Sequence, residues 1–154
     1  MDPRDFLDCV IRPVLARLAL GGAAAETLLL GTALHESGGL RRLRQAGGGP
    51  ALGLYQIEPA THADIEENFL AFRPDLAARV AALAAEWPGR VDQLATNPAY
   101  ATAIARIHYR RRPEPLPEAD DLAALGRYWK RHYNTGRGRG TAEGFIESWR
   151  RWMT

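Results

Sequence analysis

The sequence predicts a single, mainly helical domain over residues 1–154, with one small β element that lines a cleft. Apolar residues recur at helical spacing along most of the chain, and Pro, Gly, Asn and Asp stand where these patterns begin and end. One short segment, Leu52–Glu58, lies between a Gly-Pro pair and Pro59 and favours an extended strand. A length of 154 residues with 46% apolar and 25% charged residues is typical of one soluble globular domain with its own core.

Two helices are predicted before the strand. Asp2-Pro3 opens the first, which is expected to be kinked or broken near Pro13 and to end at Gly21-Gly22. The second helix carries Glu36, and Gly38-Gly39 is its stop signal. The inward-facing residues of the first helix are Phe6, Val10, Ile11, Val14 and Leu18.

Two more helices are predicted between the strand and residue 97. Thr61 with Asp64 reads as a capping box for a helix that runs through Phe69. Pro74-Asp75 begins the next helix, which Pro88-Gly89 is expected to stop. Its inward-facing residues are Leu76, Val80 and Leu83.

The last third of the chain predicts three helices. Asn97-Pro98 caps the first of them, and residues 113–117 form a proline-rich extended connector to the second. Asp120 or Asp121 caps that second helix, a glycine-rich loop follows over residues 134–140, and Thr141 starts the last helix. The apolar positions of these helices are Tyr100, Ile104, Ile107, Leu122, Leu125, Trp129, Tyr133, Phe145, Trp149 and Trp152.

Glu36 is the candidate general acid. It continues an apolar stripe at helical spacing and stands just before the glycines that end its helix. Burial disfavours the ionised carboxylate, and so does the negative end of the helix dipole, so both raise the pKa towards neutral pH. A raised pKa is what a general acid needs. The stripe consists of Ala25, Leu29, Thr32, Ala33 and Glu36.

The predicted strand can contribute to a binding cleft. Gly53 leaves its backbone open to close approach, and in an extended segment Tyr55 and Gln56 point to opposite faces. Glu58 lies two residues beyond Gln56 and shares its face.

Three motifs, in order, resemble those of the soluble lytic transglycosylases, a family of the lysozyme-like superfamily. The first is Glu36-Ser37, followed by residues 51–61, Ala-Leu-Gly-Leu-Tyr-Gln-Ile-Glu-Pro-Ala-Thr. The second is Asn97-Pro98-Ala99-Tyr100, which leads to Ile104, and the third is residues 133–138, Tyr-Asn-Thr-Gly-Arg-Gly. The segment between Thr61 and Asn97 is longer than the family usually has, and we expect it to shape one wall of the cleft.

The resemblance implies a lysozyme-like α+β fold and cleavage of the β-1,4 bond between N-acetylmuramic acid and N-acetylglucosamine, which leaves a 1,6-anhydro end. It implies that Glu36 is the acid and base and that the Tyr133 hydroxyl lies beside it. We expect six residues to bind substrate: Ser37, Gly53, Tyr55, Gln56, Glu58 and Asn134. Ser37 has a second interpretation as a local hydrogen-bonding residue.

Three alternatives remain open at this point. Glu58 could be a second carboxylate that activates water, which would make the protein an inverting hydrolase, or it could bond to backbone donors at the start of the next helix. The chain could be an inactive structural module of a virion. An arginine-rich nucleic-acid binder is a third alternative. The net charge of +2 and the presence of Glu36 argue against both the inactive module and the nucleic-acid binder.

The expected partners are peptidoglycan strands and other phage virion or tail proteins, with no nucleic acid. The four histidines share no metal-ligand spacing, so neither a metal nor another cofactor is expected. Cys9 has no cysteine partner for an internal disulfide. Early aspartates and Arg17 argue against a signal peptide and a membrane span. We therefore expect synthesis in the cytoplasm and delivery to the cell wall as a virion component.

Overall fold

The computed structural model describes residues 1–134 and 138–154, and this part of the chain is mainly helical, as predicted. A π-helical turn at Leu7–Ile11 joins α1 to α2, a 3₁₀ turn at Leu70–Phe72 follows α4, and a second π-helical turn at Lys130–Asn134 continues α8. The α-helices are α1 Pro3–Phe6, α2 Arg12–Leu18, α3 Ala23–Ser37, α4 Pro59–Asn68, α5 Pro74–Ala81, α6 Gln93–Thr96, α7 Pro98–Arg110, α8 Leu122–Trp129 and α9 Ala142–Met153.

The predicted kink near Pro13 takes the form of the first π-helical turn. Pro13 has no N–H to give to the carbonyl four residues before it, and the Arg12 N–H bonds to Leu7, five residues back. The helical run continues through α2 and ends at Leu18, where Ala19 adopts a left-handed conformation with φ 54°. The predicted stop at Gly21-Gly22 is therefore late, and Gly22 is instead the N-cap of α3.

Helix α3 packs at the centre of the fold, in contact with α1, α7, α8 and α9. Its contact with α9 depends on Gly31, where a Cβ atom would lie 2.4 Å from the ring of Phe145. Phe145 is fully buried there, and burial of a phenylalanine side chain contributes about 2–3 kcal/mol. The helix that carries Glu36 is thus held directly by the last helix.

Three N-caps match the prediction and fix the ends of the helices around α3. The Asn97 side chain accepts from the Tyr100 N–H at the start of α7, and Thr141 accepts from the Gly144 N–H at the start of α9. Asp121 accepts from the Ala124 N–H, which decides between Asp120 and Asp121 as the cap of α8.

Helix α4 begins earlier than predicted. Pro59 is its first residue and Glu58 is its N-cap, so Thr61 does not begin the helix. Asp64 does not form the predicted capping box, because its carboxylate accepts from Asn68 and pairs with Arg111. Proline at the first helical position is favoured because its missing N–H has no partner there anyway.

The predicted strand at Leu52–Glu58 is wrong, because this segment is a tight turn. Leu52 and Ile57 exchange two backbone hydrogen bonds of 3.0 and 3.1 Å across it. Gly53 and Gln56 have φ angles of 78° and 49°, which no extended strand contains. In the described residues, β structure is limited to isolated bridges from Leu52 to Arg44 and to Ile57.

Candidate active site

Glu36 lies in the last turn of α3, one residue before the helix ends. Gly38 follows in the left-handed conformation, with φ 66°, and ends the helix as predicted. The partly buried Glu36 side chain accepts a hydrogen bond at Oε1 from the indole Nε1 of Trp129, 3.1 Å away. Trp129 belongs to α8 and is fully buried. Two helices far apart in the sequence therefore hold one carboxyl group.

Burial raises the pKa of the Glu36 carboxyl to about 7, and the hydrogen bond from Trp129 opposes this rise. Burial acts by penalising the charged form, whereas the indole N–H stabilises the carboxylate. At neutral pH the group is thus divided between its acid and base forms. A carboxyl with this pKa can donate a proton and take one back in the same reaction.

Tyr133 lies in the π-helical turn that continues α8, and it is packed rather than free. Its ring stacks on Tyr109 with centroids 5.1 Å apart, and its hydroxyl donates a hydrogen bond of 2.6 Å to the Tyr55 carbonyl. Burial raises the pKa of Tyr133 well above its usual value, and the negative charge of Glu36 adds to the rise. Tyr133 and Glu36 therefore share one electrostatic environment, and the hydroxyl proton is engaged by a backbone carbonyl.

Two buried tyrosine–threonine pairs support this region. The Thr32 hydroxyl donates to the Leu28 carbonyl at 2.7 Å, so the Tyr109 hydroxyl, 2.7 Å from Thr32 Oγ1, is the donor to that oxygen. Thr102 repeats the arrangement, because its hydroxyl donates to the Pro98 carbonyl and receives the Tyr55 hydroxyl at 3.0 Å. Both tyrosine hydroxyls have hydrogen-bond partners inside the protein, which fixes the positions of Tyr55 and Tyr109.

His108 also packs against Tyr133. The edge of its ring meets the Tyr133 ring with centroids 4.8 Å apart, and its Nδ1 accepts from Arg111 at 2.7 Å. Burial and then the charges of Arg111 and Arg112 lower the pKa of His108 to about 3. A neutral His108 is therefore a fixed acceptor, and Arg111 in turn pairs with Asp64 on α4.

No protein-family model, curated protein or solved structure matches this chain. The chemistry of the site is therefore inferred from its own residues. Within residues 1–134 and 138–154, no three His, Cys, Asp or Glu side chains are grouped as metal ligands. None of the helices described there combines the length and the apolar character that crossing a bilayer requires.

Gln56 and Asn134 keep part of their surface exposed. The Gln56 side chain donates to the Gly53 carbonyl at 2.9 Å, which leaves its amide oxygen available to a ligand. The Asn134 carbonyl oxygen accepts from Lys130 at 2.6 Å, which leaves its amide N–H groups as donors. These two predicted substrate-binding residues retain hydrogen-bonding capacity that a sugar can use.

Ser37, Tyr55 and Gly53 are buried, and the prediction that they contact substrate is corrected. The Ser37 hydroxyl donates to Ala33 and accepts from the Leu40 N–H, so it shapes the chain after α3, as in its local interpretation. The Tyr55 side chain is 0% exposed and bonds to Thr102. A Cβ atom on Gly53 would lie 1.7 Å from the Leu94 carbonyl oxygen, so this glycine admits another backbone segment.

Glu58 is exposed and makes no side-chain hydrogen bond to the start of α4. The expectation that it bonds to the helix N-terminus is therefore wrong. Because the segment is a turn, Glu58 also does not share a strand face with Gln56.

Residues outside the predicted set complete the site, chiefly Trp129, Tyr109 and His108. Trp129 stands four residues before Tyr133, so helical spacing places both on one face of α8 and its continuation. That signal indicates a shared face but does not identify Glu36 as the indole's partner. Residues 135–137 of the predicted glycine-rich loop and of the third motif lie outside the described part of the chain.

Proposed function

We propose that this protein is a peptidoglycan lytic transglycosylase that cleaves the β-1,4 bond between N-acetylmuramic acid and N-acetylglucosamine. The observation that carries the proposal is a partly buried carboxyl, Glu36, whose pKa is raised to about 7 and which is oriented by a fully buried tryptophan. The proposed substrate follows from the resemblance of the three sequence motifs to those of the soluble lytic transglycosylases.

In this reaction one carboxyl group acts twice. Glu36 gives its proton to the glycosidic oxygen while the bond from that oxygen to C1 of the muramic acid breaks. The substrate's acetamido group stabilises the positive charge at C1, and the 6-hydroxyl then attacks C1. Glu36 takes the hydroxyl proton, so an anhydro ring forms, no water is consumed and the acid is regenerated.

The surroundings of Glu36 support a single-carboxylate mechanism over a hydrolytic one. Burial and the Trp129 hydrogen bond account for the shift in its pKa, and no other carboxylate of the described residues is among the causes. A hydrolase of the inverting type needs a second carboxylate roughly 6.5–9.5 Å away to activate water. Glu58, the candidate for that role, is exposed at the N-terminus of α4.

The other two alternatives receive less support. An inactive module has no use for a partly buried carboxyl with a raised pKa, because holding it there is unfavourable. An extended nucleic-acid interface needs many free cations, whereas the net charge of the chain is only +2. Part of its positive charge is also paired with carboxylates of the same chain, at Arg12, Arg90, Arg111 and Arg131.

Delivery to the wall completes the proposal. Peptidoglycan lies outside the cytoplasmic membrane, and we propose that the protein reaches it as a virion component that opens the wall during infection. Mass spectrometry of purified virions tests this. Detection of the protein in lysing cells but not in virions would favour an endolysin role instead.

The test of function is digestion of purified sacculi by the wild type, Glu36→Gln and the matched carboxylate variant Glu58→Gln. We expect Glu36→Gln to lose at least about 100-fold in rate, because an amide is not acidic and cannot transfer a proton to the glycosidic oxygen. Glu58→Gln should remain within about twofold, because ring closure replaces attack by water and needs no second carboxylate. The muropeptides should end in anhydro rings, which are about 18 Da lighter than reducing ends because ring closure consumes no water.

Reducing ends throughout, with activity lost in Glu58→Gln, would show a hydrolase instead. Full activity of Glu36→Gln with an unchanged melting curve would remove Glu36 from the mechanism.

A further inference from the structure

A groove of about 870 Å³ lies on the surface beside the loop that follows Glu36. Its apolar wall includes Leu43, Leu52 and Trp87, and its charged groups are Arg41, Arg44 and Asp92. The Trp87 side chain is 84% exposed and that of Leu43 is 46% exposed. Large apolar side chains left this open to water, together in one concave surface, are typical of a binding site.

Two segments of the chain link the groove to the candidate active site. Leu40 lines the groove, and its N–H is held at 2.8 Å by the hydroxyl of Ser37, the residue after Glu36. Leu54 also lines the groove, and the next residue, Tyr55, gives its carbonyl to the Tyr133 hydroxyl. The segments that position Glu36 and Tyr133 therefore continue as walls of the groove.

The charge of the groove favours an anion. Within residues 1–134 and 138–154, no carboxylate lies within 4 Å of a nitrogen of Arg41 or Arg44, whereas Arg12, Arg90 and Arg111 are each paired with one. The Arg41 guanidinium stacks on the Trp152 ring at 4.7 Å, which holds it in place without neutralising it. Asp92 is the single acidic residue on the groove lining.

We propose, on the basis of the function proposed above, that this groove binds the peptide arm that peptidoglycan carries on its muramic acid. The arm places free carboxylates and small apolar side chains, such as that of alanine, at a distance from the sugar, whereas a stripped strand keeps only the lactyl carboxylate next to each muramic acid ring. Arginine forms paired hydrogen bonds with carboxylates, and Trp87 and Leu43 offer apolar contact to methyl groups. The groove thus favours strands that still carry their peptides.

The test compares two soluble substrates: glycan strands with their peptide arms, and the same strands after an amidase has removed the arms. The variants are Arg44→Ala and Trp87→Ala. The matched controls are Arg17→Ala and Phe72→Ala, an exposed arginine and a 75% exposed aromatic that do not line the groove. Circular dichroism melting confirms that each variant folds.

We expect Arg44→Ala to raise the apparent KM about 10-fold on peptide-bearing strands, the usual effect of losing a charged hydrogen bond, and to change it less than twofold on stripped strands. Trp87→Ala should act in the same direction, and both controls should match the wild type on both substrates. Equal losses on both substrates would make the groove a sugar site, and no loss on either would remove it from substrate binding. Both results would overturn the proposal.

A binding measurement separates failure of this inference from failure of the proposed function. Calorimetry with Glu36→Gln compares a muropeptide disaccharide that bears its peptide with the bare disaccharide, and no cleavage is needed. Binding of the peptide-bearing form that Arg44→Ala weakens in the same background supports the inference even if the wild type cleaves neither strand. Equal affinity for the two ligands, or binding of neither, overturns it.

Discussion

The Glu36 carboxyl is subject to two opposing influences, burial and the Trp129 hydrogen bond, and their balance sets the pH at which it can act. Because the acid form donates the proton, kcat/KM should fall as pH rises through about 7. Trp129→Phe keeps an aromatic ring but removes the N–H that stabilises the carboxylate. The pKa of Glu36 should then rise further, and the falling limb of the pH–rate profile should move to higher pH.

Tyr128→Phe is the matched control, because it removes an aromatic hydrogen-bond donor one residue away that bonds to the Glu114 carbonyl. Its pH–rate profile should coincide with that of the wild type. An unmoved limb in Trp129→Phe, with the fold intact, would show that the indole does not tune Glu36.

Tyr133 acts by fixing its neighbours, since its hydroxyl bonds to the Tyr55 carbonyl rather than to Glu36. Tyr133→Phe should lower kcat about 10-fold with little change in KM, because the acid remains while its surroundings lose their alignment. Steady-state kinetics beside thermal melting measures this. Tyr100→Phe removes another buried tyrosine hydroxyl, one that contacts His62, and should cost stability without lowering kcat. Equal kcat losses in both variants would reduce Tyr133 to a stability residue.

Single residues differ in how far sequence alone can place them. Glu36 was predictable because an apolar stripe runs into it and two glycines follow, and both signals are local. Its Trp129 partner was not predictable, since that contact joins residues 93 positions apart. Ser37 shows the limit of carrying over a motif residue, because its hydroxyl is fully used inside the chain.

Among the elements, three helix starts could be predicted from their local chemistry, whereas the turn at residues 52–57 could not. Asn97, Asp121 and Thr141 cap helices through their own side chains, so the sequence suffices to find them. Gly53 adopts a positive φ where the Leu94 backbone approaches it. The sequence around Gly53 does not predict this contact. A strand was therefore the natural local expectation, and tertiary contact overrode it.

The turn at residues 52–57 offers a sharp test through paired glycines. Gly53→Ala and Gly47→Ala impose the same positive φ on alanine, at 78° and 81°, but only Gly53 has an obstacle, the Leu94 carbonyl oxygen 1.7 Å from the added Cβ. Gly47→Ala should cost about 1 kcal/mol, the usual penalty of a left-handed non-glycine residue. Gly53→Ala should cost at least about 3 kcal/mol, because overpacking adds to that penalty. Urea unfolding measures both, and equal costs would contradict the close approach.

At the scale of the whole molecule, the mainly helical structure predicted from the sequence is confirmed, while the lysozyme-like arrangement of its helices stays a prediction. Helical periodicity is a local property of the sequence, so it can be recognised without knowledge of the fold. How α3, α7, α8 and α9 pack depends on pairs such as Gly31 and Phe145, which are distant in the chain.

The free energy of unfolding should depend on pH through the protonation of Glu36. Its pKa is raised from 4.5 to about 7 by folding, so the folded chain holds the proton more tightly than the unfolded chain. The stabilisation is complete below about pH 4.5 and is lost as pH rises through 7. Relative to Glu36→Gln, the wild type should lose about 2–3 kcal/mol of unfolding free energy between pH 4.5 and 8. Urea unfolding of the two proteins at both pH values measures the difference.

A difference between Glu36→Gln and the wild type that stays constant over the same pH range would mean that folding does not perturb the Glu36 carboxyl.

The packing of Phe145 against Gly31 also determines the order in which the parts of the site assemble during protein synthesis. A ribosome releases α3 long before it releases α9, so the nascent chain exposes the face of α3 that Phe145 later covers. Trp129 packs against Phe145, with ring centroids 5.7 Å apart. The indole that donates a hydrogen bond to Glu36 therefore also reaches its final position only after α9 has docked. The site around Glu36 is therefore complete only after α9 has left the ribosome and docked against α3 and α8.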